Sequence, residues 1–339
     1  MKNTLSLAAL CGALATTAFA QDKTLTISTY SFAQDAYKEA LYDPFEAICG
    51  CNLVIETGNS VERMSKIEAN ANDPVIDMAV ISSHDALALA RKDLLAQLDI
   101  SQLPNRSKLY AAAQDPIGDN MAVGYTFYAS SIVYRSDLVE INSWADLLDD
   151  KLAGNVSLPN ITGTQGPLTL MMLAKAAGNN GTDYSSVISK IGESADDIVT
   201  FYSRSSELAQ LMNQEEVIAA PVGRFAWSRF KGSPLPFAWA EPVEGQAGGM
   251  NVMIMTKNNG NEELAYQFMD YWLSTEVQTR IAEALIDSPA NAEVVVSDEV
   301  ADNLTYGADL INSLNILSPA DIIDNREAWV EQWNTEVIR

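Results

Sequence analysis

Residues 24–57 read TLTISTYSFAQDAYKEALYDPFEAICGCNLVIET and contain the first complete strand-helix-strand pattern of the chain. TLTIST (24–29) and NLVIET (52–57) are short runs rich in β-branched residues, which is typical of strands. The segment between them, from about Asp35 to Ile48, is typical of a helix. Two strands joined by a helix favour parallel pairing. This stretch therefore predicts an α/β fold.

The same alternation continues along the rest of the chain. Further strands are predicted at IDMAVIS (76–82), TFYASSIVY (126–134), NVSLPN (155–160), VIAAPVG (217–223) and MNVMIMT (250–256). Helices are predicted at 61–69, 85–94, 143–149, 166–178 and 205–216, and one long helix or a helix pair at 261–285. The pattern favours mostly parallel sheets, and the length of 339 residues favours two domains.

The first 20 residues have the pattern of a secretory signal. Lys2 precedes an apolar run and then Ala18-Phe19-Ala20, which predicts cleavage after Ala20. Leu10 stands directly before Cys11, where a lipoprotein signal has a small residue, so we expect no lipid anchor. The apolar run is too short for a membrane helix. We therefore predict an exported, soluble protein.

The chain is strongly acidic. It has 21 Lys and Arg against 45 Asp and Glu, a formal net charge of −24, and removal of Lys2 with the signal makes it −25. This balance disfavours nucleic acid as a partner because no surplus of cations is available to neutralise phosphates. It also repels anionic membrane surfaces. Either a salt-adapted acidic surface or attraction of a cationic solute accounts for it.

Signatures of catalysis and of cofactors are absent from the sequence. His84 in ISSHD (81–85) is the only histidine, so a Ser-His-Asp hydrolase would have to use it, and no G-x-S-x-G elbow accompanies it. One histidine and two nearly adjacent cysteines do not make a four-ligand zinc site. Phosphate-binding and dinucleotide-binding glycine motifs are missing too. We predict a non-enzymatic protein without cofactor or metal.

Cys49 and Cys51 in AICGCNLV (47–54) are the only cysteines left after cleavage of the signal. An oxidising compartment favours a disulfide for such a pair, and free thiols or metal and redox chemistry are the alternatives. Gly50 lies where the first helix ends and the second strand begins, a common place for a left-handed glycine. We expect a local Cys49–Cys51 disulfide at the end of the strands opposite the ligand.

Polar and aromatic residues gather at turns that follow predicted strands. These turns are TYSFAQD (29–35), SSHD (82–85), NITGTQGP (160–167), VGRFAW (222–227) and GGMN (248–251). Open α/β sheets bind ligands at the carboxyl ends of their strands, where helix N-termini offer free N–H groups. Ordinary packing is the alternative for each of them. The candidate ligand-binding residues are Tyr30, Ser31, Phe32, Ser83, His84, Tyr125, Tyr128, Thr164, Gln165, Arg224 and Asn251.

The order of these segments resembles the periplasmic solute-binding proteins of ATP-binding-cassette importers, in the spermidine/putrescine-binding branch (type II). The resemblance covers nearly the whole mature chain. It is carried by TLTISTY with YDPFEAICGCNLVIETG, IDMAVIS, GYTFYASSIVYRSD with INSWADL, VIAAPVGRFAW, and GGMNVMIMTKNNGNEELAYQFMDYWLSTEVQTRIAEAL ahead of DSPANAE. It implies two α/β lobes that close over a solute, with lobe 1 at 22–128 and 252–293 and lobe 2 at 129–251 and 294–339.

The resemblance also implies a modified binding site. Polyamine receptors hold ammonium groups with carboxylates and aromatic rings. The acidic positions of that pattern fall near Gln165 and at Asn251, a tryptophan position falls at Gly249 and an aromatic position at His84, while Tyr30 keeps the first aromatic residue. Because buried cations need carboxylates, this departure favours a neutral, zwitterionic or anionic solute over a polyamine.

These expectations together define the predicted function. The protein captures a small polar organic solute in the periplasm, as a monomer, and delivers it to the membrane permease of an importer. Two alternatives stay open. One is a sensory binding protein that presents the ligand to a membrane receptor, and the other is a true putrescine or spermidine receptor with a rearranged site.

Overall fold

The computed structural model describes residues 23–338, so the predicted signal peptide and its cleavage site lie outside the described residues. The strands in this range are β1 (Thr24–Thr29), β2 (Asn52–Thr57), β3 (Met78–Ser82), β4 (Val123–Arg135), β5 (Val156–Pro159), β6 (Ile198–Tyr202), β7 (Ala219–Gly223), β8 (Phe237–Trp239), β9 (Ala247–Met255) and β10 (Asn315–Ile316).

Helices lie between most of these strands. The α-helices are α1 (Gln34–Tyr37), α2 (Asp43–Cys49), α3 (Ser60–Ala69), α4 (Ser83–Arg91), α5 (Ala111–Gln114), α6 (Gln165–Ala176), α7 (Ser185–Glu193), α8 (Ser205–Asn213), α9 (Trp227–Lys231), α10 (Glu262–Leu273), α11 (Thr275–Glu283), α12 (Asp298–Ala301), α13 (Ala308–Ser313) and α14 (Pro319–Glu336). Short 3₁₀ helices cover Ile100–Gln102, Pro104–Lys108, Trp144–Leu148, Asp150–Leu152, Ala195–Asp197 and Arg224–Ala226. Between residues 23 and 338, no helix combines the length and apolar character needed to cross a bilayer.

The first strand-helix-strand unit folds as its sequence predicts. β1 and β2 pair in parallel, with Thr24 opposite Asn52 and Thr29 opposite Thr57. The helical connection runs from α1 through a π-helical turn, Lys38–Tyr42, into α2. It ends at Gly50, whose φ of 60° is left-handed and therefore suits glycine.

The sheet is mixed rather than mostly parallel. Its strand order is β2-β1-β3-β9-β4-β7-β5-β6, with β10 beside β9 and β8 beside β4. β1 pairs in parallel with β2 and β3, and β5 with β6 and β7. In the centre, β9 runs antiparallel to β3 and β4, and β4 runs antiparallel to β7. The prediction of mostly parallel pairing therefore fails at the two long central strands.

The buried apolar side chains form separate cores on either side of β4 and β9. One core takes its residues from Leu25 to Phe127 and from Met250 to Ala290, with Ile311 added. The others draw on residues from Tyr128 onwards and on the C-terminal helix. The core changes between Phe127 and Tyr128, and Met250 and Ile311, which the predicted bounds assign to lobe 2, pack into the first core. The division into lobe 1 and lobe 2 stays a prediction, and we keep these names for its two parts.

The C-terminal helix α14 of lobe 2 also contacts α4 of lobe 1. Arg91 forms an ion pair with Asp324. Arg326 Nη1 lies 3.4 Å from the buried carboxylate of Asp85, and its Nη2 donates to the Thr162 carbonyl at 2.8 Å. The contacts of Asp324 with Arg91 and of Arg326 with Asp85 therefore join the two lobes, whereas the bond to Thr162 lies within lobe 2.

Candidate functional site

A cavity of about 240 Å³ lies between the two lobes and is large enough for a small organic molecule. We call its lobe 1 side the first wall. It consists of Thr29, Tyr30, Phe32, Tyr37, Tyr125, Thr126, Phe127, Leu285, Ile286, Asp287 and Ser288. The second wall, on the lobe 2 side, consists of Pro159, Asn160, Gly163, Thr164, Gln165, Tyr202, Ser203, Ser205, Phe225, Ser228, Asn303 and Leu304. Tyr128 and Asn251 on the shared strands complete the lining.

A half-buried carboxylate, Asp287, stands in the first wall. It follows α11 through a turn in which Leu285 adopts a left-handed φ of 54°, a backbone conformation that residues other than glycine seldom adopt. The Tyr37 hydroxyl donates to Asp287 Oδ2. Burial raises the pKa of Asp287 to about 7, although the hydrogen bonds from Tyr37 and Thr126 oppose this shift. The wall thus has an acidic group that titrates near neutral pH.

The aromatic rings around this carboxylate are held in place from behind. Trp272 of α10 packs edge-on against Tyr37, with ring centroids 5.7 Å apart, and tilted against Tyr125, at 4.7 Å. On β4 the pairing with β9 shifts register between Gly124 and Thr126, and such irregularities re-aim side chains. As a result, four consecutive residues from 125 to 128 line the cavity.

Tyr30 and Asn251 meet at another part of the lining. The Tyr30 hydroxyl donates to Asn251 Oδ1 at 3.3 Å. The guanidinium carbon of the buried Arg63 lies 4.4 Å from the centre of the Tyr30 ring. Arg63 itself donates through Nε to Ser28 Oγ at 3.1 Å and through Nη2 to the Val80 carbonyl. Its charge therefore stands behind the Tyr30 ring and outside the cavity lining.

Tyr128 occupies the space beside Gly249. The two residues are cross-strand partners on β4 and β9, and a Cβ atom at position 249 would come within 2.2 Å of the Tyr128 hydroxyl oxygen. The tryptophan position of the polyamine-receptor pattern therefore holds no side chain here, and a ring from the neighbouring strand fills its place.

The second wall presents amides and hydroxyls from the turn that leads into α6. Gly166 is needed in this turn because a Cβ there would lie 2.6 Å from the Asn160 carbonyl oxygen. Gln165, which is buried, accepts a hydrogen bond from Ser130 Oγ at 2.6 Å through Oε1. The position that the resemblance assigns to a carboxylate is thus a buried, oriented amide.

The two walls also touch at Phe32 and Phe225. Their ring centroids are 6.0 Å apart in an edge-to-face arrangement. The Arg229 guanidinium lies 5.4 Å from the centre of the Phe32 ring. These side chains join lobe 1 to lobe 2 directly across the cavity.

The structure brings seven of the predicted ligand-binding residues to the cavity and leaves four outside its lining. Those at the cavity are Tyr30, Phe32, Tyr125, Tyr128, Thr164, Gln165 and Asn251, and those outside are Ser31, Ser83, His84 and Arg224. Burial lowers the pKa of His84 at the start of α4, although the carboxylate of Asp85, 3.7 Å away, opposes this shift. Arg224 donates to the Asp302 carbonyl at 2.6 Å and stacks on Trp239.

Sequence reasoning missed several members of the lining. Tyr37 lies inside the first helix, and Asp287 lies in DSPANAE, a segment used only to support the resemblance. The signal for Asp287 is a lone acid in a loop between an apolar helix end and a proline. This pattern does not predict where Asp287 lies in the fold, because the position of Asp287 depends on how α11 packs against β4.

Cys49 and Cys51 lie away from the cavity. Their sulfur atoms are bonded in the structure, with the Cα atoms 5.2 Å apart. Asn52, directly after them, donates to the Lys23 carbonyl beside the start of β1, whereas the cavity is reached from the opposite end at Thr29. The disulfide therefore links the end of α2 to the start of β2 outside the cavity lining.

Comparison with known proteins gives matches over most of the chain. The family model for bacterial extracellular solute-binding proteins matches residues 40–308. The spermidine/putrescine-binding periplasmic protein of Escherichia coli K12 is 23% identical over 281 residues, 79% of each chain. The putrescine/cadaverine-binding protein of Pseudomonas aeruginosa is 24% identical over 275 residues, 73% of this chain and 75% of that protein.

A solved structure extends the similarity to the fold. The crystal structure of an ABC transporter protein from Clostridium perfringens has a TM-score of 0.80 and 31% identity, and the match covers 92% of this chain and 99% of that one. The resemblance found in the sequence and the predicted two-lobe α/β fold are both confirmed.

Proposed function

This chain belongs to the family of bacterial extracellular solute-binding proteins, and we propose that it is the periplasmic receptor that delivers a small polar organic solute to the permease of an ATP-binding-cassette importer. The observation that supports this role is the cavity between the lobes, which has aromatic rings on one wall and amides and hydroxyls on the other. Such a concave, largely apolar site with a few oriented polar groups suits a small ligand.

The polyamine-binding relatives indicate a small organic ligand but do not identify it. The amides of Gln165 and Asn251 stand where the polyamine-receptor pattern has acids, and each is already hydrogen-bonded to a neighbour. We propose that these two amides contact the solute in place of amine-anchoring carboxylates. We also propose that the mature receptor is a monomer released by signal cleavage after Ala20, without a lipid anchor.

A thermal-shift screen tests the receptor role. The mature protein is heated with polyamines, amino acids, betaines, phosphonates, thiamine precursors and a fractionated metabolite extract. A solute that binds the folded state stabilises it, by about 2.7 kcal/mol at a concentration 100 times its Kd. We expect at least one such solute. Failure of every fraction to stabilise the protein, confirmed by calorimetric titration, would contradict a solute-binding role.

A further inference from the structure

We propose that the solute is an organic cation with a single positive charge, and that Asp287 is the group that binds this charge. The inference rests on the proposed function, because it names the class of solute that the cavity accepts. It differs from the neutral, zwitterionic or anionic solute that the sequence predicts, because the lining contains the carboxylate of Asp287.

The cavity lining contains a charged side chain. Among the described residues that line the cavity, Asp287 is the only Asp, Glu, Lys, Arg or His. Its carboxylate accepts a hydrogen bond from the Tyr37 hydroxyl and also faces Tyr125, and Trp272 packs against both rings. A carboxylate flanked by aromatic rings is the arrangement that binds an ammonium group, because a charge-assisted hydrogen bond and cation–π attraction act together.

A second positive charge has no partner in the rest of the lining. Tyr30 and Asn251 offer a hydroxyl and an amide, and the guanidinium of Arg63 lies 4.4 Å behind the Tyr30 ring. An ammonium group placed there would be repelled by Arg63 and would find no carboxylate in that part of the described lining. Asp85, which also acts on Tyr30, lies outside the lining and already faces His84 and Arg326. Burying such a charge is costly. The lining therefore disfavours a dication that spans the cavity.

A ligand carboxylate would be unpaired as well. Arg63 and Arg224 both lie outside the lining. Arg63 stands behind the Tyr30 ring and donates to Ser28 and Val80 through Nε and Nη2, while its Nη1 is buried without a hydrogen-bond partner among the described residues. The remaining polar groups, on the second wall, are neutral amides and hydroxyls such as Asn160, Gln165 and Ser203. They suit a hydroxyl or carbonyl at the uncharged end of the solute.

A matched series of four-carbon probes tests this inference. We would titrate the protein by calorimetry with 4-aminobutan-1-ol, 1,4-diaminobutane, 4-aminobutanoate and butanedioate, which differ only in their terminal groups and charges. We expect 4-aminobutan-1-ol to bind at least about tenfold more tightly than the others. Tighter binding of the dication, the zwitterion or the dianion would overturn the inference and leave the receptor role intact.

A broader screen decides the case in which none of the four probes binds. In that case the test is the net charge of the solute that binds most tightly in the thermal-shift screen. A single positive charge supports the inference, and any other charge overturns it. If no solute binds in either experiment, it is the receptor role that fails. The two failures are therefore distinguishable.

The Asp287→Asn variant supplies the residue test. We expect it to bind the monocation at least about 100-fold more weakly, while Glu283→Gln, which removes an exposed carboxylate at the end of α11, binds like the parent protein. Retained affinity in Asp287→Asn would overturn the assignment. Circular dichroism and thermal unfolding show whether the variant folds.

A pH series on the unaltered protein gives an independent measurement. Tyr37, Tyr42 and Tyr125 face Asp287, and burial raises the pKa of each above its usual 10, so they do not titrate between pH 5 and 8. Binding of a cation needs the ionised carboxylate, so the affinity is expected to fall about tenfold for each pH unit below about 7. An affinity that stays constant from pH 8 to pH 5 would overturn the role of Asp287.

Discussion

The first and second walls of the cavity differ in chemistry and in how they are held. The first wall is aromatic and contains the carboxylate of Asp287, and its rings rest on the lobe 1 core through Trp272. The second wall consists largely of neutral amides and hydroxyls on loops and on the turn before α6. Charge recognition and neutral polar recognition thus lie on different lobes. A solute that needs both would have to contact the two walls at the same time.

The largest predicted effect concerns the charge on the first wall. Asp287 has a pKa raised from 3.8 to about 7, so the folded protein without ligand holds a proton there that the unfolded chain releases. Between about pH 4 and 7 this carboxyl group therefore lowers stability as the pH rises, and above 7 the full cost is present. We expect Asp287→Asn to raise the free energy of unfolding at pH 8 by about 2 kcal/mol, less than the full shift implies because the group partly faces the cavity.

Urea unfolding at pH 8 and pH 4 measures this effect. The gain should be present at pH 8 and largely vanish at pH 4, where the carboxyl group is protonated in the folded state and only partly ionised in the unfolded chain. Glu283→Gln, on the exposed end of α11, serves as the control for a general change of charge. An Asp287→Asn protein that is no more stable than its parent at pH 8 would show that the first wall does not hold a costly charge.

The next effect concerns the second wall. Gln165→Ala removes the amide that the resemblance places at an acidic position, and we expect about tenfold weaker binding of the tightest solute, a loss of about 1.4 kcal/mol. Ser130 keeps an acceptor in the Val222 carbonyl at 3.2 Å, so the protein should still fold. Gln210→Ala, an exposed residue of α8, is the matched control. Equal affinity of all three proteins in calorimetric titration would remove Gln165 from the site.

The same contrast explains which parts of the fold the sequence predicts. The parallel unit β1–β2 and the break between α10 and α11, where Ser274 caps the second helix, follow from local patterns of apolar and capping residues. The antiparallel pairing of β4 with β9 joins residues more than 100 positions apart. The residues of a single apolar strand do not indicate which strand it pairs with or in which direction, so the mixed sheet cannot be predicted from the sequence.

Prediction of the site divides in the same way. Tyr30 follows β1 and Gln165 begins α6, so the rule for open α/β sheets finds them, whereas Asn251, predicted at a turn, lies in the middle of β9. Asp287 stands in a loop after a helix, and its approach to Tyr37 depends on the docking of α11. Ser83 and His84 satisfy the strand-end rule but remain outside the lining, and His84 is buried beside Asp85 at the start of α4.

The smallest predicted effect concerns the disulfide, which lies outside both walls. Its removal serves as a comparison for the variants in the two walls. Replacing Cys49 and Cys51 by serine opens a very small loop, so we expect a loss of only about 1 kcal/mol in the free energy of unfolding. Solute affinity should not change, because the pair lies at the end of β1 opposite the cavity.

Alkylation of the exported protein followed by mass spectrometry, with and without reductant, should label both thiols only after reduction. Labelling without reductant would exclude the bridge, and an altered affinity would mean that the first wall depends on the far end of the strands.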